Sequence, residues 1–122
     1  MKLLLPALLL SLCSCQTTPT AGWTHVVVFW LKEPGNAAQR AKIIETSESF
    51  RKIPGVLSVK AGECLRSTRP VVDISYDVAV AMEFSDREAM QHYLEHPVHT
   101  AASDGILKPL VKKVVVYDFG RE

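Results

Sequence analysis

The chain has 122 residues, a formal net charge of +1 and 48% apolar residues, which suits one compact domain with a core of its own. So small a charge removes the electrostatic reason to expect nucleic acid as a partner. Function therefore has to be read from particular sites.

Residues 1–14 stand apart from that domain. Lys2 supplies a positive start, and Leu3, Leu4, Leu5, Ala7, Leu8, Leu9, Leu10 and Leu12 form an apolar run, too short to span a bilayer as a folded helix and suited to an export signal. The run ends in Leu12-Cys13-Ser14-Cys15, which resembles the bacterial lipobox, where a small residue precedes the cysteine that takes lipid and becomes the new N-terminus. Cys15 fits that place as the lipidation site; Cys13 fits it poorly, because Leu12 would occupy the small-residue position. The alternative is an ordinary secretory signal and a secreted or periplasmic product. Buried acyl chains contribute about 0.8 kcal/mol per methylene, so more than one chain anchors stably.

Residues 15–22 read as a linker, polar from Gln16 to Gly22 and reaching roughly 25 Å at full stretch. A domain of residues 23–120 would hang from the membrane of the cell envelope without entering it. Gln16 is not the aspartate that retains some lipoproteins at an inner membrane, which favours the periplasmic face of an outer one. With Cys13 removed and Cys15 lipidated, Cys64 is left without a disulfide partner, and its strand-like run predicts a buried, inert thiol.

Thr24–Lys32 is β-branched and aromatic and ends at Pro34-Gly35, the pattern of a strand and a turn. Asn36 is a suitable N-cap for a helix reaching Lys52, with Ile43, Ile44 and Phe50 as its apolar stripe, and Pro54-Gly55 stops it. A second strand follows over Val56–Leu65, with Gly62 as a candidate bulge, then a polar loop to Asp73. Tyr76–Phe84 alternates cleanly as a third strand, and Ser85-Asp86-Arg87-Glu88 has the form of a capping box opening a helix to Glu95. Pro97 breaks that helix, and a second piece runs to about Leu107 before a fourth strand, Val111–Phe119.

The order β-α-β-β-α-β predicts an α+β, ferredoxin-like fold: a four-stranded antiparallel sheet with both helices on one face. The other face should then alternate with polar residues, yet the first and fourth strands carry VVVFW and VVVY, apolar in both registers. No residues remain to cover it. The economical partner is a second copy, sheet against sheet, giving a homodimer.

Four pieces of the sequence, His25 in HVVVFWLK, the turn IPGV (Ile53–Val56), the run YDVAVAMEFSDREAM (Tyr76–Met90) and YLEHPVH (Tyr93–His99), resemble the stress-responsive α/β barrel (Dabb) domains of the dimeric α+β barrel group. The resemblance covers about His25 to Phe119. It implies sheets paired into a barrel and, by similarity to small polyketide cyclases of the family, a catalytic Tyr93 and His99. Where many relatives follow the Tyr-Asp of the third strand with histidine, this chain has Val78, which leaves a more apolar interior.

Two readings of YLEHPVHT stay open: a helix junction, and a reaction centre. In the second, His99 in the first turn of a helix stays neutral and takes a proton while Tyr93 donates a hydrogen bond to a carbonyl. His25, His96 and Phe29 are candidate ligand contacts, from the first strand and the junction. A metal held by His25, His96 and His99 is disfavoured because His-Pro-x-His is not a standard zinc spacing, so no metal and no cofactor is expected. Haem degradation, known among related barrels, finds no support in these motifs. Lys108, Lys112 and Lys113 read as a solvated edge. The expected function is a homodimer binding a small apolar molecule, with a cyclase- or lyase-like enzyme and a ligand-free structural module as alternatives.

Overall fold

The computed structural model describes residues 20–121 together with Cys15 and Thr17. Residues 1–14, expected from the sequence to be an export signal, lie outside the described residues. Strand β1 (Trp23–Leu31) is followed by α1 (Ala37–Ser49) and a 3₁₀ turn, Phe50–Lys52. Strands β2 (Val56–Glu63) and β3 (Val78–Phe84) come next, then α2 (Arg87–Glu95), α3 (Pro97–Ala102), a π-helical turn over Ser103–Leu107, a helical turn at Lys108–Leu110, and β4 (Val111–Gly120). The sheet order is β2-β3-β1-β4, antiparallel throughout. This is the ferredoxin-like arrangement, with its second helical unit divided.

Alternation places the core. His25, Phe29 and Leu31 of β1 share a face with Val78, Val80, Met82 and Phe84 of β3, all buried. Ile43, Phe50, Met90, Tyr93 and Leu107 close over them from the helical side. Each fully buried side chain of this size contributes about 1.5–3 kcal/mol. In α1 the buried positions are Ile43, Thr46 and Ser47, while Ile44 is only partly covered; a weakly apolar helix is held by its neighbours and not by a broad stripe of its own.

Local chemistry sets the boundaries. Asn36 Oδ1 accepts from Gln39 N at 3.0 Å and caps α1. Gly35 and Gly55 turn the chain at φ +78° and +91°, where a Cβ is disfavoured. Buried Asp77 accepts from Leu31 N at 2.9 Å and from Gly35 N at 2.8 Å. It thereby ties the end of β1 to its turn, and β3 opens one residue later, at Val78.

Three expectations need correction. The N-cap of α2 is Asp86, whose Oδ1 accepts from Ala89 N at 2.8 Å, and not Ser85; a carboxylate accepts more strongly and its charge suits the helix N-terminus. Gly62 pairs in regular register with Ala79, and the bulge of β2 falls between Val56 and Ser58, where the chain leaves the Gly55 turn and absorbs one extra residue. Cys64 lies beyond the end of β2 and is half-buried, not buried; once the ladder ends, alternation no longer turns the side chain inward.

The face opposite the helices carries Val26, Val28 and Trp30 of β1, aligned with Tyr117, Val115 and Lys113 of β4. Tyr117 and Phe119 are each 59% exposed. No element of the described chain covers this surface.

Candidate functional site

Antiparallel pairing of β1 with β4 sets His25 opposite Asp118. Both point toward the helices, and His25 Nδ1 lies 2.5 Å from Asp118 Oδ1. Nδ1 is the donor, because a carboxylate only accepts, and the contact fixes the plane of a ring that is itself buried.

Tyr93 and Met90, one helical turn apart on α2, both face the core. The Tyr93 ring is 2% exposed and stands 4.5 Å from the His99 ring, 6.0 Å from His25, 5.8 Å from Phe50 and 5.3 Å from Phe84. Burial pushes its hydroxyl well above the ordinary range, so it stays protonated at neutral pH and keeps a hydrogen available for donation.

The proline break positions His99. Pro97 occupies the first turn of α3, and His96 caps that helix, its ring Nδ1 accepting from Val98 N at 3.2 Å. Two residues on, His99 Nδ1 lies 3.0 Å from Leu94 O. A carbonyl cannot donate, so Nδ1 carries the hydrogen and Nε2 the lone pair. Burial pulls the His99 pKa below its usual value, the Leu94 bond opposes that shift, and the charge of His25 adds to it. The neutral ring expected from the helix terminus is thus produced mainly by desolvation.

A cavity of about 480 Å³ opens between the helices and the sheet, lined by His25, Val27, Phe29, Val80, Met82, Tyr93, His99, Leu107, Val114 and Val116 among others. Four of the expected site residues, His25, Phe29, Tyr93 and His99, meet there. His96 does not: its ring is turned to the outside, 5.8 Å from that of His92, because its nitrogen is committed to capping. Among the described residues no group of three metal-ligating side chains forms. Val78 is fully buried, and Cys15 is exposed. Asp118 is the polar residue that sequence reasoning missed. Its only signal is register: positions 25 and 118, 27 and 116, and 29 and 114 face one another across β1 and β4.

Residues 24–120 match the family model described as Stress responsive A/B Barrel Domain (Dabb). The chain belongs to the Dabb family. An uncharacterized protein of Streptomyces coelicolor is 34% identical over 80 residues, which cover 63% of this chain and 78% of that one. A Dabb protein of Mesorhizobium loti with a ferredoxin-like fold is 27% identical in crystal structure, at a TM-score of 0.67 over 84% of this chain and 99% of that one. A dimeric ferredoxin-like protein of Thermobifida fusca superposes at a TM-score of 0.68, with 21% identity over 87% and 96% of the two chains; this second likeness concerns the fold.

Proposed function

We propose that this Dabb protein is a homodimer that binds a small, largely apolar molecule in the cavity between its helices and sheet, and that lipid on Cys15 holds it to a membrane of the cell envelope, at the periplasmic face of an outer membrane. The cavity carries the reading: about 480 Å³ of space walled mostly by hydrocarbon, with a few convergent polar groups at Tyr93, His99 and His25, is the usual make-up of a small-molecule site. A structural module without ligand would need that space filled by its own side chains. The bare face of the sheet supports the dimer, as does the similar Thermobifida fusca structure, which is dimeric. The anchor rests on the lipobox-like Leu12-Cys13-Ser14-Cys15.

Nile red, a neutral apolar dye, tests the binding. The wild type should take up one dye per protomer with saturation, and Val27→Trp, which fills the cavity, should abolish uptake. Uptake unchanged in that variant places the dye elsewhere and removes the reading. Cys15→Ser should release the protein from the membrane fraction.

One observation favours an enzyme as the second reading. His99 Nε2 is left as a base beside a protonated Tyr93 hydroxyl, with the two rings 4.5 Å apart. That pair suits abstraction of a proton next to a carbonyl whose oxygen is held by the tyrosine, as in a cyclase or lyase of intramolecular aldol type that needs no cofactor. His99→Ala should then abolish turnover while leaving ligand affinity in place.

A further inference from the structure

The cavity has a second end. Where the chain leaves its last helical turn for β4, Lys108, Lys112 and Lys113 join the lining, and among the described lining residues there is no aspartate or glutamate. The three ammonium groups differ in what they touch. Lys113 Nζ sits 4.4 Å over the Trp30 ring, on the outer face of the sheet. Lys108 Nζ lies 2.5 Å from Asp104 Oδ1, which offsets its charge. Lys112 is exposed and has no ion pair or hydrogen bond among the described residues.

Lys112 stands four residues before Val116, the last residue of β4 that lines the cavity, roughly 13 Å at the rise of a strand. The cavity is therefore long and unequal: a free cation at its mouth, hydrocarbon walls of Val27, Phe29, Val114 and Val116, and the neutral Tyr93–His99 pair near its other end. The geometry points to an amphipathic carboxylate as the ligand, its anionic head at Lys112, its apolar body along the valine and phenylalanine walls, and its tail end toward Tyr93 and His99. This inference rests on the cavity being a ligand site and adds the class of molecule. A carboxylate gains a charge-assisted bond at the mouth and meets no opposing charge in the lining, whereas a neutral chain of equal length gains only the walls and a cationic one is repelled.

Displacement of Nile red from the purified full chain separates these cases, with dodecanoate, dodecanol and dodecyltrimethylammonium as competitors. At low salt dodecanoate should displace the dye about tenfold more tightly than dodecanol, the size of one charge-assisted contact, and the ammonium least tightly. High salt should shrink the difference, because the mouth is open to solvent. Lys112→Gln should remove most of it and Lys112→Glu should reverse it, while Lys113→Gln, whose ammonium faces Trp30, should leave it unchanged. Equal displacement by dodecanoate and dodecanol overturns the carboxylate inference and leaves the apolar site standing. Failure of the wild type to bind Nile red at all removes both.

Discussion

The proton inventory of His99 has a consequence for stability. Its folded pKa is lowered, chiefly by burial, so the unfolded chain binds the proton more readily than the folded one and stability must rise with pH across that interval. The contribution is complete above the ordinary histidine value of 6.5 and is lost as the pH falls through the folded value. Urea denaturation at stepped pH should show the wild type weakening below about 6.5, and His99→Gln should flatten that slope; an unchanged slope would place the titration elsewhere. Asp118 acts through another group, since its carboxylate holds His25 Nδ1. Its side chain is 37% exposed, so Asp118→Asn should cost about 1 kcal/mol or less. Imidazole nitrogen NMR should nevertheless register a changed hydrogen bond at His25, and an unaltered spectrum would sink the assigned role.

Elements in this chain end where a side chain satisfies the backbone. Asp86 and Ser85 offer a direct comparison at the start of α2: Asp86→Ala should cost about 1 kcal/mol, whereas Ser85→Ala should stay within about 0.5 kcal/mol, both read from chemical denaturation midpoints. Equal losses would restore Ser85 as the cap. Nearly all elements were legible, because strand alternation in YDVAVAMEF, the Asn36 cap and the two Pro-Gly turns are local signals. The start of α2 is ambiguous by one residue in sequence because Ser85 and Asp86 are both good caps, and only the backbone tells which one leaves helical geometry. Gly62 looked like a bulge, yet bulges arise from pairing, which one strand alone does not reveal.

At the scale of the molecule, the described residues leave one face of the sheet uncovered. A specific interface needs about 800 Å² from each partner, and the stripe from Val26 to Trp30 together with Val115, Tyr117 and Phe119 offers an apolar surface for it. In analytical ultracentrifugation the wild type should sediment as a dimer at micromolar concentration, and Val28→Lys with Tyr117→Lys should give a folded monomer by circular dichroism. A monomeric wild type would remove the homodimer. Composition and pattern along the chain determined the order of elements, the bare face, and the family to which residues 24–120 belong, because periodicity, caps and turns act over a few neighbours. Tertiary structure alone decided that His25 meets Asp118, that His96 turns away while His99 turns in, and that Lys112 joins the cavity lining. Those facts depend on strand register and on the angle at which α3 leaves Pro97, and they come from packing between residues far apart in sequence.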